Sequence, residues 1–350
     1  MVSRKGRTVI AATAVGGLAL ATALAGPAQA APNNNSVDKL TKAVTLEGLL
    51  EHADALQAIA DANGGTRASG TPGFDASADY VAGLLEDAGY DVTRQPFDFA
   101  FFEEFGSSFE QVAPVPTIYV DQTDYDLMDY SGSGDVTAEV VGVDLAIATP
   151  ASSTSGCEAA DFVDVSGKIA LMQRGACAFG LKAANAEAAG AVGAVIFNQG
   201  NSDPAVDPSR HDLFAGTLGA PVGIPTVSVS FSQGVEFSEA AGLVLHMTAD
   251  TTSEIRSTEN VIADNGQGRT DNTVMAGGHL DSVNAGPGIN DNGSGSIALL
   301  ETALQMAKVK TNNNVRFAWW GAEESGLLGS EHYVANLTED EAADIALYLN

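Results

Sequence analysis

Residues 274–324 constrain the fold more than any other part of this 350-residue chain. Val274-Met275-Ala276 is a short apolar run of strand formers that ends in Gly277-Gly278-His279-Leu280-Asp281. A loop rich in Gly, Asn and Asp follows. Next comes a helix over 296–308, with Ile297, Leu300, Leu304 and Ala307 at helical spacing. Residues 315–320 form the next apolar strand, which ends in Gly321-Ala322-Glu323-Glu324. Two strands joined through one helix predict a parallel pair with a right-handed crossover. Sheets of that kind collect ligands beyond the carboxyl ends of their strands. His279 and the Glu323-Glu324 pair both fall there.

The remainder divides by composition. Residues 31–44 open Ala-Pro-Asn-Asn-Asn and read as a frayed tail. Leu46, Leu49, Leu50, Ala53, Leu56 and Ile59 then recur at helical spacing, and Gly64-Gly65 ends that helix. A loop over 66–73 precedes a second helix, with Tyr80, Val81, Leu84, Leu85 and Ala88 on one face and Gly89 as its stop. Residues 90–99 read as a strand. From about Pro116 to Asp250 the chain becomes rich in Gly, Ala, Val and short strands, at 169–172, 192–197 and 226–229, with a helix over 179–189 ended by Gly190. This middle segment, 116–250, reads as a small α/β unit set between residues 31–115 and 251–350.

Arg4, Lys5 and Arg7 precede an apolar, Ala-rich run over 9–25 and the small-residue site Ala28-Gln29-Ala30. That order predicts a secretory signal peptide over residues 1–30, so the mature protein is expected to be secreted and free of the membrane. Cys157 and Cys177 are the only cysteines. In an exported protein such a pair can form a disulfide, the other reading being two free thiols. With no neighbouring His they do not make a structural zinc site. The 45 acidic side chains against 16 basic ones, a formal charge of −29, argue against a nucleic-acid partner.

A hydrolytic metal site needs neutral imidazoles and carboxylates that converge and leave room for water. His279, Asp291 in the following loop, and Glu324 from the neighbouring strand are the candidate metal ligands. An imidazole with several carboxylates suits zinc or a similar divalent ion, and bridging carboxylates hold two ions roughly 3.5–4 Å apart. Glu323, beside a ligand, is placed to take a proton from water. Asp281 is placed to accept a hydrogen bond from the other nitrogen of His279 and fix its tautomer. Taken singly, these residues are what turns and helix starts carry; their combination points to a site. His52, His211, His246 and His332 lack a second His at metal spacing and read as structural. No His-Glu-x-x-His and no Gly-x-Ser-x-Gly is present, which sets aside two other hydrolase plans.

The runs Gly278-His279-Leu280-Asp281-Ser282-Val283 and Gly286-Pro287-Gly288-Ile289-Asn290-Asp291-Asn292-Gly293-Ser294-Gly295 resemble the co-catalytic zinc aminopeptidases, the secreted bacterial leucyl aminopeptidase type. These are distant relatives of glutamate carboxypeptidase and the transferrin receptor ectodomain. The run Gly321-Ala322-Glu323-Glu324-Ser325-Gly326-Leu327-Leu328-Gly329-Ser330 resembles their second motif, and Gly65-Thr66-Arg67-Ala68-Ser69-Gly70-Thr71-Pro72-Gly73 their opening. Gly167-Lys168-Ile169-Ala170-Leu171, Arg174-Gly175-Ala176-Cys177 and Ile224-Pro225-Thr226-Val227 resemble the protease-associated (PA) domain. The resemblance implies an α/β zinc-exopeptidase (phosphorylase/hydrolase-like) α/β/α sandwich with an inserted small α/β PA domain. It implies that His279 binds one zinc ion, Asp291 bridges two, Glu324 binds the other, Glu323 is the general base and Asp281 the supporting acid.

It further implies an Asp and a His ligand beyond Asn350. These 350 residues therefore read as part of a longer protein, with weak metal binding, a poorly folded second domain and no useful activity expected of them alone. The expected activity of the whole is removal of N-terminal, large apolar residues from peptide or protein substrates. A carboxypeptidase or glutaminyl-cyclase-like enzyme on the same scaffold, and a non-catalytic protein-binding module, are the alternatives.

Overall fold

The computed structural model describes residues 34–350; the signal-peptide reading lies outside them. The first three elements are helices: α1 (Val37–Ala43), α2 (Leu46–Ala62) and α3 (Pro72–Ala88). α1 corrects the expected tail over 31–44, as far as it is described. Its Ser36 side chain caps the free amide of Lys39. α2 forms where expected, capped by the Thr45 side chain, but turns a different face inward. His52, Leu56 and Ala60 are buried, whereas Leu46 and Leu50 are 70% and 53% exposed. The reason is tertiary: His52 Nδ1 lies 2.6 Å from the Tyr80 hydroxyl and Nε2 3.5 Å from Glu301. α3 ends at Gly89, whose φ of +93° favours glycine.

The expected strand from residue 90 runs far beyond 99. β1 (Asp91–Ala113) pairs antiparallel along its length with β8 (Val244–Asp264), and this ribbon links the two halves of the molecule. Between its arms lie β2 (Thr117–Tyr119), β3 (Tyr125–Leu127), β4 (Gly134–Gly142), β5 (Ile169–Gln173), α4 (Phe179–Ala188), β6 (Gly193–Phe197), β7 (Thr226–Val229) and α5 (Phe231–Glu239). β4 to β7 are parallel in that order and β3 closes the edge antiparallel. Alternate residues face opposite layers. Leu171, Val195 and Val227 meet Phe237 of α5, while Ala170, Met172 and Ile196 meet Ala183 and Ala186 of α4. Cys157 and Cys177 form a disulfide in this unit.

After β8 come β9 (Arg269–His279), α6 (Ser294–Met306), β10 (Asn313–Trp320), α7 (Leu328–Ala335), α8 (Glu339–Asp344) and β11 (Ile345–Leu349). The strand order is β11-β9-β10-β8, with β9 parallel to both β10 and β11, as the strand–helix–strand reading requires. Val261, Phe317 and Trp319 face α3 and α6 on one side, and Ile262, Ala318 and Trp320 face Tyr333 of α7 on the other. Helices therefore cover both faces, and the fold is the expected α/β/α sandwich joined to a smaller α/β unit.

Candidate metal centre

The site grows from the ends of two strands. β9 and β10 are in register with His279 opposite Trp320, so both leave the sheet at one level. The Leu280 amide still bonds the Trp320 carbonyl at 2.8 Å. Behind the histidine, Ser296 Oγ at the start of α6 donates to the His279 carbonyl at 2.6 Å, and the buried Trp319 indole donates to the Ser296 carbonyl at 3.1 Å. Beyond β10 the backbone turns through Ala322, whose φ is +51°. This turn swings Glu323 and Glu324 toward His279. A second irregular turn over 289–293, opened by Gly288 at φ +55°, brings Asp291 in from the other side.

All five candidate residues converge. His279 Nε2 lies 3.1 Å from Asp291 Oδ1 and 3.6 Å from Glu323 Oε2. His279, Glu323 and Glu324 each place one ligand atom within 4.8 Å of the others. The expected ligand trio had Asp291 instead of Glu323; Asp291, 82% exposed, touches the histidine from the solvent side.

Asp281 faces the other nitrogen of His279 and bonds the glutamate turn as well. His279 Nδ1 is nearer the Asp281 carbonyl, at 3.1 Å, than its carboxylate, at 3.5 Å. The buried carboxylate also accepts the amides of Glu323 and Glu324, both at 3.2 Å. One side chain thus ties the histidine strand to the glutamate turn. An Nδ1–H held by Asp281 leaves Nε2 facing Asp291 and Glu323.

Four carboxylates surround one imidazole, and the electrostatics record the excess of negative charge. Burial works against a charged His279, but the Asp281 hydrogen bond and the charges of Asp281 and Glu323 outweigh it and raise its pKa to about 9. Burial holds the Glu324 carboxyl above its ordinary range; His279 opposes this, while Asp281, Asp291 and Glu323 add to it. A hard or borderline cation is what such a donor set accommodates.

Two cavities flank the centre. One of about 490 Å³, lined largely by Met275, Trp320, Leu327, Tyr333 and Val334, adjoins His279 and Glu323. The other, about 220 Å³, lies between Glu324 and the ribbon, where Phe101 and Phe102 form its wall. Asn284 Nδ2 donates to the Phe102 carbonyl at 3.3 Å, fixing the ribbon beside the site. The remaining described histidines hold structure, as expected. His246 bonds Glu110 and Asp135, His211 bonds the Ser202 carbonyl, and His332 stacks on Phe97.

Arg67 and Ser69 have no role assigned by sequence alone. Both are buried and reach the site from the loop between α2 and α3. They lie in the run that resembles the family's opening, but their roles are not local, because Leu280 and Ala322, which they bond, are more than 200 residues away.

Residues 260–350 match Peptidase family M28 and residues 136–237 match the PA domain. An aminopeptidase of Pseudomonas aeruginosa is 46% identical over 315 residues, which cover 89% of this chain and 58% of that protein. A protein of Mycobacterium tuberculosis described as probable lipoprotein aminopeptidase LpqL is 41% identical over 317 residues, 89% of this chain and 59% of that one. The chain thus spans less than two thirds of these relatives. Among solved structures, the aminopeptidase from Aneurinibacillus sp. strain AM-1 is similar, with a TM-score of 0.60 and 28% identity over 87% of this chain and 69% of that one. The segment that carries His279, Asp281, Asp291, Glu323 and Glu324 therefore matches Peptidase family M28, and the unit between the arms of the ribbon carries a PA-domain match.

Proposed function

We propose that this chain supplies the metal-binding core of an exported, zinc-dependent aminopeptidase that removes large apolar residues from the amino ends of peptides. The observation that carries the reading is the convergence of one imidazole and four carboxylates at the carboxyl ends of two parallel strands. In this reading His279, Asp291 and Glu324 hold two zinc ions, with the further ligands elsewhere in the full-length protein. Zinc bound there supplies Lewis acidity toward the scissile carbonyl and makes water a better nucleophile at neutral pH.

The other steps belong to the side chains. Glu323, partly exposed and next to a ligand, accepts a proton from water and returns it to the leaving amine. Asp281 orients His279 and fixes the turn that carries both glutamates. The likeness to an aminopeptidase of Pseudomonas aeruginosa, over 89% of this chain, supports the amino-terminal preference over a carboxypeptidase. The apolar cavity beside His279 and Glu323 supports the preference for apolar side chains. The Cys157–Cys177 disulfide supports export to an oxidising compartment. No helix among the described residues is long and apolar enough to cross a membrane.

The test is hydrolysis of leucyl-p-nitroanilide by the full-length protein. Activity lost on chelation and restored by zinc is the expected result. A zinc-loaded protein that cleaves no substrate with a free amino terminus overturns the reading.

A further inference from the structure

One short loop touches both halves of the metal centre. It joins α2 to α3, and from it Arg67 reaches the histidine–aspartate side while Ser69 reaches the glutamate side.

Arg67 is fully buried. Its Nε donates to the Pro287 carbonyl at 2.8 Å, Nη2 to the Gly288 carbonyl at 3.0 Å, and Nη1 to the Leu280 carbonyl. Its backbone amide donates to Ser282 Oγ at 2.9 Å. A charged guanidinium taken out of water is costly unless its donors are satisfied. Here the donors go to three backbone carbonyls, with the charge of Asp281 nearby. Those carbonyls are not scattered. Leu280 directly follows His279, and Gly288 lies three residues before Asp291. The planar fork of the guanidinium holds the two ends of the loop joining these residues at a fixed separation, which a flexible ammonium does not reproduce.

Ser69 does the same for the other half. Its Oγ accepts the Ala322 amide at 2.6 Å and the Thr258 hydroxyl at 3.2 Å. Ala322 is the left-handed residue that aims Glu323 and Glu324. The loop is itself rigid. Thr66 Oγ1 accepts the Ala68 amide at 3.1 Å, Thr71 Oγ1 donates to the Ala68 carbonyl at 2.7 Å, and Gly73 lets the Thr66 carbonyl approach the start of α3.

We propose that Arg67 and Ser69 are positioning residues that set the spacing between the His279–Asp291 loop and the Glu323–Glu324 turn. This deepens the metal-centre reading and rests on it for the metal itself. The test compares Arg67→Lys, Arg67→Ala and Ser69→Ala in the full-length protein. Three quantities are read: hydrogen exchange of the metal-free protein, zinc affinity by chelator competition, and kcat and KM.

For Arg67→Lys we expect faster exchange confined to residues 280–293, zinc affinity lower by about 10- to 100-fold, and a fall in kcat with little change in KM. Arg67→Ala is expected to be worse in the same places. Ser69→Ala is expected to move the loss of protection to residues 321–328. Exchange that stays at the wild-type level, or rises evenly through α2, α3 and the sheet, overturns the proposal. So does zinc affinity that is unchanged in a variant with a loosened 280–293 segment. A wild-type protein that binds no zinc sinks the metal-centre reading, while the metal-free exchange pattern still decides whether Arg67 and Ser69 set the two segments.

Discussion

Asp281 carries more of the site than its exposure suggests, because it is 1% exposed and touches both motifs. Asp281→Asn keeps the shape but offers the two glutamate amides one acceptor oxygen and a competing donor. Zinc affinity is expected to fall by about 10- to 100-fold, measured by competition with a chelator; an unchanged affinity contradicts its role. His246 tests the electrostatics at a distance from the centre. Its bonds to Glu110 and Asp135 raise its pKa above the ordinary 6.5. A raised folded pKa stabilises below the unfolded value and is lost as pH rises through the folded one. The stability difference between wild type and His246→Gln is therefore expected to be largest below pH 6.5 and to vanish at alkaline pH, within about 1 kcal/mol for such exposed pairs. Thermal unfolding at a series of pH values checks it.

At this scale the five candidate residues are legible because four lie at or just beyond the ends of adjacent strands and Asp291 lies in the loop between them, all within one local strand–helix–strand unit. Asp281's bonds to the glutamate amides are not, since they depend on the register that sets Trp320 opposite His279. Arg67 falls in the run that resembles the family's opening, but a lone Arg between Thr66 and Ala68 carries no periodicity that assigns it a role.

Among the elements, those stopped by glycine were read closely. α3 ends at Gly89, and Gly190 lies two residues beyond the end of α4, both with positive φ. The ribbon was not. Residues 100–113 mix Phe with Glu, Gly and Ser, and their pairing with residues 244–255 is far too distant for a local pattern to show. The inward face of α2 was misread for the same reason: a buried His52 is favourable only once Tyr80 and Glu301 are beside it. The loop between α2 and α3 offers a direct test of close approach. A Cβ on Gly73 meets the Thr66 carbonyl oxygen at 2.1 Å, which is backbone and has little room to yield. Gly73→Ala is expected to cost about 1–3 kcal/mol by overpacking, read from denaturant unfolding, and to disturb Arg67 with it. A neutral substitution contradicts the described approach.

At the largest scale, the described residues form two α/β units joined by one ribbon. Glu104 is paired with Thr251, and beyond that point β1 and β8 belong to the core of the smaller unit. Replacing residues 105–250 with a two-residue hairpin turn is therefore expected to leave the metal-binding layers folded in the full-length protein, with zinc affinity kept. Because Phe101 and Phe102 of the same ribbon wall the cavity beside Glu324, the smaller unit stands near the approach to the site. Its removal is expected to speed cleavage of folded protein substrates more than that of a dipeptide analogue. Equal effects on both contradict a role in restricting substrate size.

The most direct test of the central claim is one substitution, Glu323→Gln, in the full-length protein. Turnover of leucyl-p-nitroanilide and bound zinc are measured together. A loss of kcat of about 10²-fold or more with zinc content unchanged is expected, since Glu323 moves the proton while its neighbours hold the metal. Retained turnover would contradict it, and so would loss of the metal with the activity, which would make Glu323 a ligand instead.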